Sequence, residues 1–161
     1  MDACLIYNIY NRIILKAGII GMIKILICCL GGFSSSAMVK KVKSEIIENN
    51  LQKEMSVDFS PFMNANKLYH EYDVIMVCPH TRYEVNGFVK KHYDLNIPIY
   101  VLPPKMYGQM NAKELYIDAV DIIDGYNDSK TNPWHFKGEE EIMTVQRACS
   151  YRHFKKLSKL K

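Results

Sequence analysis

"MIKILICCLGGFSSSAMVKK", residues 22–41, is the stretch on which the reading of this chain turns. "IKILIC" has the length and composition of a strand buried on both faces. The run breaks at Cys28 and Cys29, a glycine pair and three serines. Beyond the break, "SSSAMVKKVKSEIIENN" sets Met38, Val42 and Ile46 four residues apart among Lys and Glu, the pattern of an amphipathic helix. The serines supply its N-cap and Asn49–Asn50 its end. In a parallel sheet, ligands gather at the carboxyl ends of strands, which is where Cys29 falls. Gly31 and Gly32 let the backbone turn and bring several N–H groups toward an anion, and a helix N-terminus adds partial positive charge. Ser34, Ser35 and Ser36 add hydroxyl donors. Such surroundings favour the thiolate, the nucleophilic form of cysteine. Leu30, Gly31, Gly32, Phe33, Ser34, Ser35 and Ser36 therefore read as a phosphate loop around Cys29. Side chains alternate along a strand, so Cys28 points the other way and reads as core.

Working outward, the same alternation recurs. "MSVDFS" reads as a second strand and "NANKLYHEY" as a short helix. "DVIMVC" is a third strand, stopped by Pro79, and "TRYEVNGFVKKHY" is helical in pattern despite Gly87. "IPIYVLP" is a fourth strand, which Pro103 and Pro104 break, and "AKELYIDAVDIID" is a last helix ending near Gly125. Four strand–helix units predict an α/β fold: a four-stranded parallel sheet flanked by helices, with a phosphatase-like loop after the first strand. The units occupy residues 22–126. Residues 1–21 are an N-terminal extension, either an extra strand or helix or the product of a start placed too early, since Met22 stands directly before the first strand. Residues 127–161 begin with the turn-rich "NDSKTNPW" and continue with acidic residues early and basic residues late, a polarity that suits a helix dipole. This segment reads as a basic tail, partly helical or disordered and exposed to solvent.

Composition narrows the function classes. The chain has 161 residues, 48% of them hydrophobic, enough to bury a core. Arg12, Lys16 and Lys24 interrupt the greasy N-terminal region, so no window has the roughly 18 apolar residues of a membrane span, and Asp2 sits where a secretory signal needs basic charge. The expectation is a cytoplasmic protein. Five cysteines without Cys-x-x-Cys spacing read as free thiols. His70, His92, His135 and His153 are too scattered for a metal site. The net charge of +4 belongs to the tail, because residues 1–126 hold equal numbers of acidic and basic side chains. Nucleic acid is therefore not an expected partner of the main domain.

A thiolate in an anion cradle suits two chemistries, and an arginine separates them. Low-molecular-weight tyrosine phosphatases place arginine six residues after the cysteine, where its guanidinium stabilises the transferring phosphoryl group. Here that position is Ser35, and a count from Cys28 reaches Ser34. A loop lacking that arginine should hold a phosphoryl group and hand it on rather than hydrolyse it. Arg82 is the nearest surrogate in sequence terms, or else faces solvent.

"KILICCLGGFSSSAMVKK" resembles the active-site loop of the enzyme IIB component of the lactose/cellobiose class of the phosphoenolpyruvate-dependent sugar phosphotransferase system. Cys29, Gly32, Ser34, Ser35 and Ser36 fall on that pattern, with Phe33 where Met is usual. The resemblance continues through "DVIMVCPHTRYEV" and "IPIYVLPPKMYGQMNAKELYIDAV", and so spans about Met22 to Tyr126. The chain departs from it at Cys78, His80, Pro103, Asn111 and Ala112. The resemblance implies a phosphotransferase in which Cys29 accepts phosphate from phosphohistidine of a IIA component. The phosphoryl group then passes to a sugar such as cellobiose, chitobiose or lactose bound by a membrane IIC component. It implies no dissociable cofactor and a transient place at the inner face of the membrane. His80 and Tyr83 are possible accessories near the loop, the former otherwise an idle loop residue and the latter otherwise a cover for the sheet. Lys40, Lys41 and Lys43 form a solvated face or meet an acidic partner. A cysteine phosphatase and a phosphorylation-sensing regulatory module are the competing readings.

Overall fold

The computed structural model describes residues 21–31 and 33–160, with residues 33–36 described by their backbone alone. The expectations for residues 1–20, for Gly32 and for the serine hydroxyls lie outside the described residues. Strand β1 covers Ile23–Cys29, and helix α1 follows over Phe33–Glu48. Helix α1 begins one residue earlier than its serines suggest, so Ser34–Ser36 occupy its first turn and not the cap. Val42 and Ile46 turn inward as the four-residue spacing requires.

Strand β2 spans Met55–Pro61, and a short helical run through Phe62–Glu71 includes α2 at Ala65–Leu68. Strand β3 is Val74–Val77, followed by a 3₁₀ turn at Pro79–Thr81 and helix α3 at Arg82–Lys91. Strand β4 is Ile99–Val101. The four strands run parallel in the order β2-β1-β3-β4. The direction of winding across the sheet reverses between β1 and β3, because the chain leaves β1 for one edge and returns past it to begin the other half. In open α/β sheets this switch point forms a crevice at the carboxyl ends of the strands.

The two faces of β1 alternate as strand geometry dictates. Ile23, Ile25, Ile27 and Cys29 join a core with Val42, Leu115, Ala119 and Ile122, whereas Leu26 and Cys28 join another with Phe62, Val85 and Ile97. Cys28 thus lies on the opposite face from Cys29.

Two departures follow β4. Pro103 and Pro104 do not merely break the chain. Pro104 opens helix α4, Pro104–Gln109, where a proline at the first helical position loses nothing by lacking its N–H. Helix α5 runs from Ala112 through Gly125 to Ser129, past the glycine at which its pattern suggests an end. The physical reason is Trp134: a Cβ on Gly125 would lie 2.4 Å from the indole ring, so the glycine is there for packing and not for termination.

The segment after Tyr126 is also packed and not solvated. Asn132 accepts from the Ile99 N–H at 2.9 Å and donates to the Ile97 carbonyl at 2.8 Å, and the Trp134 N–H donates to the Ile99 carbonyl at 2.8 Å. The exposed edge of β4 is thereby covered. Phe136 stacks on Tyr151, centroids 4.4 Å apart, at the start of helix α6, Tyr151–Ser158. Beside this pair lies the buried side chain of Arg147, its guanidinium carbon 5.2 Å from the Phe136 centroid and 5.9 Å from that of Tyr151. Its guanidinium meets Glu139 at 2.6 Å, Asp118 at 2.7 Å, the Tyr100 hydroxyl at 2.6 Å and the Cys149 carbonyl at 2.7 Å. Burial opposes that charge, but Glu139, Tyr100 and Asp118 outweigh it and hold the pKa above its ordinary value.

Candidate phosphoryl-transfer site

Cys29 ends β1, and the chain turns at once. Leu30 is 57% exposed, and Gly31 has φ +97°, a left-handed conformation that a side chain would strain. Helix α1 starts at Phe33, so its first-turn amides stand free of intrahelical partners within four residues of the thiol. Backbone and spacing thus give the arrangement expected of an anion cradle: a cysteine, a glycine bend and a helix N-terminus at the switch point of the sheet.

Cys29 itself is 6% exposed, nearly covered. Its two neighbouring thiols, Cys28 and Cys78, are wholly buried. Burial pushes Cys28 far up from the ordinary thiol range, which makes it an inert core residue.

The structure brings a second set of residues to the same place. The β1–β3 register pairs Cys28 with Val77, so Cys29 and Cys78 are the next residues along the two adjacent strands, and the Cys78 N–H donates to the Cys28 carbonyl at 2.8 Å. Both side chains belong to the same core cluster. Tyr107 of helix α4 packs against that cluster. The Tyr107 ring in turn meets His80 edge-on, centroids 5.5 Å apart. His80 therefore lies against a ring that packs on the core holding Cys29 and Cys78. Tyr107 is a residue the sequence reading missed as a site member, because the two prolines before it masked the helix that presents it.

Other candidates are placed elsewhere. Tyr83 is 79% exposed with the Arg82 guanidinium 3.8 Å from its ring centroid, so it does not cover the sheet. Arg82 also donates to the Pro79 carbonyl at 2.9 Å. Arg152 pairs with Asp121, and Arg147 is engaged as described above. Arg82, Arg147 and Arg152 thus each bond partners outside residues 29–36. The lysine face is not simply solvated. Lys41 donates to the Gln109 carbonyl and lies 3.8 Å from Glu45, which accepts from the Ala112 N–H at 2.8 Å. Lys43 pairs with Asp58 at 3.3 Å. The Gln109 and Ala112 contacts tie α1 to the junction of α4 and α5, and Lys43 ties it to β2.

The family model described as "PTS system, Lactose/Cellobiose specific IIB subunit" matches residues 24–117. Among solved structures, the solution structure of a cellobiose-specific phosphotransferase IIB component protein from Borrelia burgdorferi is similar, with a TM-score of 0.53 and 20% identity, covering 66% of this chain and 95% of that one. At that identity the likeness speaks for the fold. A lactose-specific IIB component domain from Streptococcus pneumoniae matches with a TM-score of 0.43 and 14% identity, over 68% of this chain and 99% of that one. No curated protein sequence matches the chain closely.

Proposed function

Because the chain belongs to the lactose/cellobiose-specific IIB subunit family of the sugar phosphotransferase system, we propose that Cys29 is the residue that carries the phosphoryl group. The family's role is sugar phosphotransfer. On this reading a IIA phosphohistidine donates to the Cys29 thiolate, and the phosphocysteine then delivers to a β-linked disaccharide or similar sugar held by a IIC permease. Backbone amides of the bend and of the first turn of α1 would offset the phosphoryl charge in both steps. The protein works in the cytoplasm and meets the membrane through IIC. Among the described residues no helix is long and apolar enough to cross a membrane.

The observation that carries this reading is the placement of Cys29 at the sheet's switch point, at the glycine bend and within four residues of the start of α1. The commitment of Arg82, Arg147 and Arg152 to other partners favours a carrier over a phosphatase, whose transition state calls for a free guanidinium.

The test is incubation with phosphoenolpyruvate, the general phosphotransferase proteins and a cognate IIA. One phosphate should be added, and Cys29→Ser should abolish the addition. A label found on Cys28 or Cys78 overturns the assignment. Steady turnover of an aryl phosphate would instead support the phosphatase.

A further inference from the structure

We propose that helix α6 is a membrane-surface anchor, seating a row of Phe154, Leu157 and Leu160 in an anionic lipid bilayer while Lys155, Lys156 and Lys159 meet the headgroup phosphates. The helix lies outside residues 24–117, which the family model matches, so the inference goes beyond phosphoryl carriage and does not rest on Cys29.

Helix α6 is held by its first residues. The Ser150 N–H donates to the Glu114 carboxylate at 2.6 Å and the Tyr151 N–H to Asp118 at 2.8 Å, while His153 lies 3.0 Å from Glu114 and Arg152 pairs with Asp121. The later turn stands off: a groove of about 510 Å³ runs beside it, lined by Asp124 of α5 and by Lys155, Lys156 and Lys159. The turn continues past Ser158, because the Lys159 and Leu160 N–H groups donate to the Lys156 and Leu157 carbonyls at 3.3 Å. Phe154, Leu157 and Leu160 thus recur every three residues along one side, and they are 41%, 59% and 83% exposed. At about 100° per residue, Arg152 falls nearly opposite that row, and it is Arg152 that turns to Asp121 of α5. The row therefore points away from the body of the protein.

Charge completes the pattern. No acidic residue follows Glu141, whereas residues 155–161 hold four lysines. Lys155 and Lys156 flank the apolar row on either side and Lys159 lies behind it. All three are exposed, and none forms a salt bridge among the described residues. An apolar row bordered by cations fits a surface that is negative outside and apolar beneath. Long lysine stems let the ammonium groups reach the phosphates while the row sinks in. Nucleic acid offers the charge without an apolar layer, so the row would stay in water. An acidic protein would need a groove shaped to this convex ridge, and a bilayer needs none. Because α6 passes from Glu114, in the first turn of α5, toward Asp121 and Gly125, it runs away from the carboxyl ends of the strands. Seating it in a membrane leaves the bend at Cys29 uncovered.

The test is co-sedimentation of the full chain with vesicles of equal parts phosphatidylglycerol and phosphatidylcholine, with phosphatidylcholine vesicles alone and soluble polyglutamate as parallel arms. The chain should bind the anionic vesicles and bind the neutral ones at least about tenfold more weakly; raising the salt to about 1 M should release most of it. Lys155→Gln, Lys156→Gln and Lys159→Gln together should weaken binding about a hundredfold. Leu157→Gln, which keeps every charge, should weaken it about tenfold. Both variants alter exposed side chains, and an unchanged urea midpoint confirms their fold; if one does not fold, the other decides. No binding to anionic vesicles overturns the proposal, and so does binding that both variants retain, which would place the contact elsewhere in the chain. Equal affinity for polyglutamate, unaffected by Leu157→Gln, would reassign α6 to an acidic protein face and overturn it too.

Discussion

The bend after β1 and the cluster around Arg147 make opposite use of hydrogen-bond donors. After the bend, the main-chain N–H groups of the first turn, from Phe33 on, open a helix and have no intrahelical acceptor. At Arg147 nothing is left over. Five guanidinium N–H donors face two oxygens of Glu139, one of Asp118, the Tyr100 hydroxyl, the Cys149 carbonyl and the Met106 sulfur. A buried arginine beside a phosphate-type loop invites a catalytic reading, but a guanidinium with every donor engaged has none to offer a phosphoryl oxygen. Free donors mark the place where chemistry can occur, and satisfied ones mark a clamp.

Exchanging the two roles by mutation is the sharpest way to break this contrast. Cys29→Ala should reduce phosphoryl uptake below detection and leave the urea unfolding midpoint close to the parent's. Arg147→Met should do the reverse. It strands Asp118 and Glu139 without their partner and should lower stability by about 3–5 kcal/mol in urea titration. The protein that remains folded should still be phosphorylated. Loss of uptake in a folded Arg147 variant would show that the clamp reaches the chemistry after all.

A smaller effect tests how the tail is seated. Gly125→Ala gains helix propensity, but its Cβ would fall 2.4 Å from the Trp134 ring, inside van der Waals contact. Overpacking should win, with a net loss of about 1–2 kcal/mol, and Trp134→Ala in the same chain should remove the clash. A Gly125→Ala protein that matches or exceeds the parent would mean that the ring moves aside freely. Smallest is Asn111→Ala, which deletes the side-chain acceptor of the Glu114 N–H at the start of α5, bonded at 3.1 Å. A lost N-cap of this kind should cost about 1 kcal/mol by thermal or urea unfolding and leave phosphoryl uptake unchanged.

The same contrast explains what was legible in the sequence. The strand, the bend and the helix around Cys29 are coded within 20 contiguous residues, where apolar runs, glycines and four-residue spacing act locally. The opposite facing of Cys28 and Cys29 followed from strand alternation alone, and the four parallel strands from the repeated unit. What escaped depends on distance along the chain. Arg147 meets partners 8, 29, 41 and 47 residues away, and no local pattern distinguishes it from a solvated base in a basic tail. Gly125 has the sequence signature of a helix end, and only the indole of Trp134 explains why the helix continues. Pro103 and Pro104 hid helix α4, and with it Tyr107. Cys78 was readable as a buried strand residue but not as a neighbour of Cys29, because strand order and register are properties of the sheet.

The central claim is that one sulfur, Cys29, carries the phosphoryl group, and locating that phosphate tests it most directly. After labelling by phosphoenolpyruvate and a cognate donor chain, the tryptic peptide Ile25–Lys40 holds both Cys28 and Cys29, so fragmentation must separate them. One phosphate is expected, on Cys29, in a peptide whose Cys28 remains alkylatable after unfolding. Phosphate on Cys28, on Cys78 or on a histidine would contradict it.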